Sequence, residues 1–72
     1  MKIRNGFLIM DGKGGGHCVL SVDEFIAAFD VDDTQQGKFC QVIGTGVQLR
    51  VNHTASEVFN KISGEHLSPV GD

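Results

Sequence analysis

The most suggestive chemical feature of the sequence is a glycine-rich stretch at residues 12–16, which reads Gly-Lys-Gly-Gly-Gly. Glycines let backbone N–H groups approach a phosphate closely, and Lys13 adds a positive charge. The stretch lacks the Gly-Lys-Ser/Thr ending of a P-loop, and no helix is predicted to follow it, so a flexible hairpin tip is favoured over a mononucleotide cradle. The alternative is a site for a small anion or nucleotide in an oligomer. Its candidate residues are Lys13, Gly14, Gly15, Gly16 and Arg50, with Arg4 as a further cation.

Metal binding has little support in the spacing of the potential ligands. These ligands are His17, Cys18, Cys40, His53 and His66. None shows the paired spacing of a zinc site, and the adjacent His17 and Cys18 would face opposite sides of a strand. A calcium loop that starts at Asp30 would need Gly and Glu where Gln35 and Gln41 stand. We therefore predict no metal site.

Catalysis is also disfavoured. Cys18 and Cys40 both lie in apolar segments, which is typical of small buried hydrophobic residues rather than of activated thiols. A chain of 72 residues has little room for a substrate pocket of the usual size, about 300 Å³ or more. We predict no catalytic residue, no cofactor and no enzymatic activity.

The charge balance excludes further classes of protein. The chain carries 6 Lys+Arg against 9 Asp+Glu, and the cations are scattered singly, whereas a nucleic-acid-binding domain gathers them on one face. No apolar run approaches the roughly 20 residues of a membrane-spanning helix. Residues 1–6 lack the apolar stretch of a signal peptide, so we predict a cytoplasmic protein with no nucleic-acid or membrane partner.

The first half of the chain predicts strands. Apolar segments on either side of the glycine-rich stretch, within residues 3–10 and 17–20, predict a hairpin with a long tip. The segment Ser21–Phe29 is ambiguous, because Ser21 and Glu24 match a capping box while Phe25, Ala27 and Phe29 alternate like a strand. We favour a one-turn bend at 21–24 followed by a strand, with a short helix as the alternative.

The second half predicts a hairpin and a helix. Alternating residues at 39–43 and 47–52 flank the tight turn Gly44-Thr45-Gly46, which predicts a β-hairpin with one solvent-facing side. Thr54 and Glu57 match a capping box. The apolar stripe that follows predicts a helix that ends at Gly64. The stripe consists of Ala55, Val58, Phe59 and Ile62.

These elements predict a small α+β fold. We expect a strongly bent antiparallel sheet, or a small open barrel, of about five strands with one C-terminal helix. Residues 1–64 form the single domain, and residues 65–72 form a flexible tail. The five phenylalanines are expected to share one core, so Phe59→Ala should destabilise it by about 3–5 kcal/mol. Because one short helix cannot cover five strands, we also predict a homo-oligomer.

The central and C-terminal parts of the sequence, roughly residues 20–63, resemble the FlbD/SwrD-like family of small flagellar-operon proteins. Residues 22–26 are similar to the family's bend and short apolar group, Asp33-Thr34 to its acidic tip, residues 42–51 to its glycine hairpin, and residues 54–62 to its amphipathic helix. The resemblance implies a non-enzymatic accessory protein and carries over no catalytic residue. The glycine-rich stretch and the residues after Gly64 depart from the family pattern.

Two functions follow as hypotheses. The first is an accessory or regulatory module that acts as a homo-oligomer through protein–protein interaction, at a sheet edge or a helix flank. The second is an oligomeric protein that binds or sequesters a small anion or nucleotide through the 12–16 loop. This second hypothesis includes an origin in a phage or mobile element.

Overall fold

The computed structural model describes the backbone of residues 1–66 and the side chains of residues 1–64. It contains six strands, one short 3-10 turn and one helix in those residues. In chain order they are β1 (Lys2–Arg4), β2 (Phe7–Asp11), β3 (His17–Ser21), the 3-10 turn (Val22–Glu24), β4 (Phe25–Asp33), β5 (Gly37–Gly44), β6 (Val47–Val51) and α1 (Ala55–His66). The predicted α+β class is confirmed.

The strands form two sheets, so the predicted single bent sheet or open barrel of about five strands is wrong. The N-terminal sheet has the order β1-β2-β3 and the C-terminal sheet the order β4-β5-β6, and every pairing is antiparallel. A turn at Asn5 and Gly6, both with positive φ, divides the first apolar segment into β1 and β2. Local patterns indicate the strands of the hairpins but not the separate strand β1, and the division into two sheets depends on contacts between distant residues.

The two predicted hairpins are present. Residues 12–16 join β2 to β3, with the outermost pair Asp11 and His17. Thr45 and Gly46 join β5 to β6, and Gly46 has a φ of 70°, which a residue with a side chain rarely adopts.

The segment Ser21–Phe29 forms a bend followed by a strand, as favoured from the sequence. The 3-10 turn occupies Val22–Glu24 and β4 begins at Phe25. Ser21 makes no capping hydrogen bond through its side chain, so its capping-box match has no structural role. Backbone bonds hold the bend instead: Val22 N–H donates to Gly6 O (2.9 Å) and Thr45 N–H donates to Glu24 O (3.0 Å).

The helix begins as predicted and ends later. Thr54 Oγ1 accepts the Glu57 N–H (3.1 Å) and Glu57 Oε1 accepts the Thr54 N–H (2.8 Å), which completes the capping box. The predicted stop at Gly64 is wrong, since the helix continues through Gly64 to His66. The predicted tail therefore overlaps the helix at residues 65 and 66, and its remainder lies outside the described residues.

The core lies between the two sheets and the helix. It consists of Leu8, Met10, Leu20, Val22, Cys40, Val42, Val51 and Val58. The five phenylalanines do not share it. Phe59 is 59% exposed, Phe29 50% and Phe7 47%, while Phe39 is buried outside this cluster and Phe25 packs against its margin. The prediction of a common phenylalanine core is therefore wrong.

Phe59 is exposed because of its angular position on the helix. Val58 is fully buried, and Ala55 and Ile62 pack against the core on the same side. Successive helical residues are rotated by about 100°, so Phe59 emerges on a flank next to this contact surface. The apolar stripe is wider than the surface that the two small sheets cover.

The described part of the chain is elongated, with principal extents of 43 × 20 × 20 Å. No helix in residues 1–66 is long and apolar enough to cross a membrane.

Candidate functional site

The glycine-rich loop forms a closed turn that uses its own backbone donors. Gly12 N–H donates to Gly16 O (3.0 Å) and Gly15 N–H donates to Gly12 O (3.1 Å). Lys13 N–H donates across to Arg50 O in β6 (2.9 Å). These three N–H groups face carbonyl oxygens of the chain itself, so they do not form the row of convergent donors that a phosphate cradle needs.

The structure does bring the predicted cations Lys13 and Arg50 together. Lys13 Nζ lies 5.6 Å, and the Arg50 guanidinium carbon 5.4 Å, from the centre of the Phe39 ring. Both cations are within the range of a cation–π interaction. Arg50 also donates from Nη1 to Gln36 Oε1 (2.7 Å). Together they cover an aromatic ring on the outer side of the C-terminal sheet.

The carboxylate of Asp33 lies near these two cations and offsets part of their positive charge. Asp33 Oδ1 accepts the N–H groups of Gln35 (2.7 Å) and Gln36 (2.9 Å), which closes the β4–β5 turn. These two backbone donors, that of Gln36 first, lower the pKa of Asp33, and the charges of Arg50 and Lys13 act in the same direction. An anion at the Lys13–Arg50 pair would therefore compete with a neighbouring carboxylate.

A cleft of about 550 Å³ lies where the helix begins beside the β4–β5 hairpin. It is lined by Asp30, Val31, Asp32, Lys38, Phe39, Asn52, His53, Thr54 and Glu57. Two of its carboxylates already have structural partners: Asp30 Oδ1 accepts the Ala55 N–H (2.8 Å), and Glu57 completes the capping box. Asp30 therefore holds the helix start on β4, and Glu57 caps the helix.

The histidines and cysteines do not assemble into a metal or nucleophile site within residues 1–64. His53 Nε2 accepts the Asp11 N–H (3.0 Å) and so joins the helix start to the end of β2. His17 is exposed, with Nδ1 3.6 Å from Asp11 Oδ1. No group of three His, Cys, Asp or Glu side chains in this part of the chain is arranged to hold a metal ion. The side chain of His66 lies outside the described residues.

The two thiols are not joined, and they differ in burial. Both cysteines are free. Cys40 is fully buried, and burial raises the pKa of its thiol, with the charge of Asp30 adding to the effect. A raised thiol pKa is the opposite of what a nucleophilic cysteine needs.

The outer face of the N-terminal sheet carries an apolar surface that includes Phe7, which was predicted to lie in the core. Two cross-strand rows form it: Lys2, Ile9 and Val19, and beside them Arg4, Phe7 and Ser21. Phe7 is 47% and Val19 56% exposed, while their neighbours along the strands, Leu8 and Leu20, are buried on the other face. The two cations stand at the β1 side of the apolar groups. We call this set the outer face of the N-terminal sheet.

A second open feature is the outer edge of β4, which has no strand beside it within the described residues. Its nine residues form the longest edge strand of the structure. The opposite edge of the same sheet, on β6, is bonded at its C-terminal end, because Lys13 N–H donates to Arg50 O and Asn52 N–H donates to Asp11 O. We call the open feature the β4 edge.

The register shows which backbone groups the β4 edge presents. Gly44 and Val47 flank a two-residue turn and form a hydrogen-bonded pair, after which bonded and non-bonded pairs alternate. Residues 39, 41 and 43 of β5 therefore bond to residues 31, 29 and 27 of β4. The N–H and C=O groups of the intervening Ala28, Asp30 and Asp32 point outward. The β6 edge follows the same alternation, since Arg50 O and Asn52 N–H point away from β5 and bond to residues after β2 and at its end.

The signals for these surfaces were present in the sequence but ambiguous. Phe7 and Leu8 are adjacent in a strand, so one of them had to face away from the core. The spacing of Phe25, Ala27 and Phe29 places them on one face of a strand, but it does not show whether that face is buried or exposed to solvent. Only the pairing of the two sheets decides which side is covered.

Comparison with models of protein families, with curated proteins and with solved structures found no match to this chain.

Proposed function

We propose that this protein is a non-enzymatic accessory module that acts through protein–protein interaction and as a homo-oligomer. Support comes from where the unused apolar side chains lie. They are concentrated on the outer face of the N-terminal sheet and beside the β4 edge, with Phe7 and Val19 on the first and Phe29 and Ile26 on the second. Large exposed apolar groups that cluster in this way are typical of contact surfaces.

The outer face of the N-terminal sheet is the surface for another protein. Phe7 offers a large aromatic group, of the kind that dominates binding energy at interfaces. Lys2 and Arg4 flank the apolar groups in a chain whose net charge is −3. The complementary partner surface is apolar with acidic residues at its border.

The test compares two phenylalanines of equal exposure. Phe7→Ser removes the aromatic anchor of the outer face, whereas Phe29→Ser removes an equally exposed ring from the C-terminal sheet. Tagged wild-type protein and both variants are used to capture proteins from the source cells, and captured candidates are then purified and titrated. We expect a partner that wild-type and Phe29→Ser protein bind with similar affinity and that Phe7→Ser binds at least tenfold more weakly. A set of captured proteins that is the same for all three baits would contradict the proposal.

A second candidate function is the binding of a small anion by Lys13 and Arg50. The observation that favours it is the position of both cations at one aromatic ring. Titration calorimetry with ATP and with pyrophosphate tests it, with Lys13→Ala and Lys38→Ala as the matched pair of charge deletions. Heat that Lys13→Ala abolishes and Lys38→Ala preserves would support this function, and no heat at millimolar ligand would exclude it.

A further inference from the structure

We infer that the β4 edge is occupied by a second copy of this chain, in an antiparallel pairing centred on Phe29. This inference rests on the homo-oligomer of the proposed function and specifies its surface and register. The two C-terminal sheets would join into one six-stranded sheet across a twofold axis.

The outward backbone groups favour this register. Ala28 and Asp30 present their N–H and C=O groups at the edge, on either side of Phe29. With Phe29 opposite Phe29 of the second copy, Ala28 of each chain faces Asp30 of the other in hydrogen-bonded pairs. All the outward backbone groups at the centre of the edge are then satisfied.

The side chains also match in this register. On the outer face Phe29 meets Phe29, and Ala27 meets Val31, so apolar groups face apolar groups across the new strand pair. On the inner face Asp30 faces Ala28 rather than another carboxylate. The charge of Asp30 is offset in addition by the start of its own helix, where its carboxylate accepts the Ala55 N–H.

Self-pairing centred on Asp30 is disfavoured by the same reasoning. In that register Asp30 would face Asp30 of the second copy directly, and like charges that face each other across a strand pair are destabilising. The bulge between Phe25 and Ala27 interrupts the strand and so limits pairing to its central part. The Phe29-centred register is the one that uses the regular part of β4 and separates the acidic groups.

The helix lies close to this edge. Asp30 of β4 accepts the Ala55 N–H at the start of the helix (2.8 Å), and Glu57 lines a cleft together with Asp30 and Asp32. In the dimer the two helices lie on the same face of the joined sheet.

The available area suits a weak dimer. The bulge limits regular pairing in this register to residues 27–31, which span about 17 Å, and the molecule is 20 Å across at right angles to its long axis. The footprint is therefore about 340 Å² per chain, the size of a weak or transient interface. We expect a dimer that dissociates at micromolar concentrations.

The first experiment places a charge on the twofold axis. Phe29→Lys brings two ammonium groups face to face in the proposed dimer, whereas Phe7→Lys makes the same change at an equally exposed residue of the other sheet. Sedimentation equilibrium of the full chain should give a dimer for the wild type and for Phe7→Lys, with at least tenfold weaker association for Phe29→Lys. A monomeric wild type at 100 μM, or a dimer that Phe29→Lys does not weaken, would overturn the inference.

The second experiment tests the register by disulfide formation in a Cys18→Ser background, where the remaining Cys40 is buried. Phe29→Cys places two thiols in a directly opposed pair, whose Cα separation suits a disulfide. Val31→Cys places its two thiols four residues apart along the strands. We expect a covalent dimer from Phe29→Cys and none from Val31→Cys under mild oxidation.

Equal crosslinking of both cysteine variants, or crosslinking of Val31→Cys alone, would overturn the register. A dimer that forms through another surface would refute this inference while the proposed homo-oligomer stands. Loss of partner binding in Phe7→Ser protein is measured separately, so the partner surface and the dimer surface can fail independently.

Discussion

At the scale of single residues, the sequence identifies apolar side chains but not which of them the fold covers. Val58 and Phe59 belong to one predicted stripe, yet Val58 is fully buried and Phe59 is mostly exposed. The apolar stripe shows roughly which side of the helix is covered. It does not show whether Val58 or Phe59 is at the centre of that side, because side chains of successive residues are about 100° apart around the helix axis. Which of the two is buried depends on the width of the sheets beneath the helix.

This difference predicts that two neighbouring substitutions destabilise the fold by different amounts. Val58→Ala removes a fully buried side chain and should lower the free energy of unfolding by about 1–3 kcal/mol. Phe59→Ala removes the larger side chain but should cost less than about 1 kcal/mol in the monomer, because exposed positions contribute little. Urea unfolding at concentrations that keep the chain monomeric measures both. A larger loss for Phe59→Ala than for Val58→Ala would contradict the observed packing.

The two thiols should differ in reactivity. Cys40 is fully buried and burial raises the pKa of its thiol, whereas Cys18 is half-buried at the margin of the core. In folded protein at neutral pH, a thiol reagent should therefore modify Cys18 first and leave Cys40 unmodified until the chain unfolds. Mass spectrometry of peptides after brief labelling locates the modification, and Cys18→Ser protein serves as the control. Rapid modification of Cys40 in that variant would contradict its buried position.

At the scale of the elements, local signals predict the structure well. The capping box at Thr54 and Glu57, the tight turn at Thr45 and Gly46, and the bend before β4 all depend on residues within a few positions of each other. The two separate sheets depend on contacts between distant strands, so the sequence alone did not reveal them. The helix end illustrates the limit of a local signal, because Gly64 remains helical where a stop was predicted.

The close packing between the sheets predicts a strong effect at one glycine. A Cβ atom on Gly44 would lie 2.8 Å from Leu20 Cδ1, 3.1 Å from Val47 Cγ1 and 3.2 Å from Glu24 O. Gly44→Ala should therefore destabilise the fold by about 1–3 kcal/mol, as overpacking of a core does. Gly14→Ala is the matched control, since a Cβ there meets no atom within 4 Å. Thermal unfolding compares the two, and equal melting temperatures would refute the close approach at Gly44.

At the scale of the whole molecule, the candidate site was predicted only in part. The sequence singled out Lys13 and Arg50, and the structure places them at one ring, because the residues after β2 lie along the edge of β6. Of the glycine N–H groups that completed the hypothesis, that of Gly15 donates instead to Gly12 O, within the loop itself. The sequence predicted contacts at a sheet edge or a helix flank, but not the residues of the two apolar surfaces, because these surfaces arise only when two sheets and one helix divide the apolar side chains between inside and outside.

The two surfaces also differ in charge, so they complement different kinds of partner. Lys2 and Arg4 border the outer face of the N-terminal sheet, whereas Asp30 and Asp32 lie on β4. A partner with acidic residues complements the first surface. Two copies of the chain can pair at the β4 edge only in a register in which their carboxylates do not face each other. On this basis we propose that the first surface serves recognition and the second serves assembly.

Assembly through the β4 edge can be measured by amide hydrogen exchange of the wild-type chain as its concentration is raised through the micromolar range. The amides of Ala28 and Asp30 point out of the β4 edge, whereas those of Ala27 and Phe29 bond within the sheet and serve as internal controls. Pairing at the β4 edge should slow exchange at Ala28 and Asp30 at least tenfold as the dimer forms, while the controls change little. Exchange at Ala28 and Asp30 that stays fast and independent of concentration would contradict it.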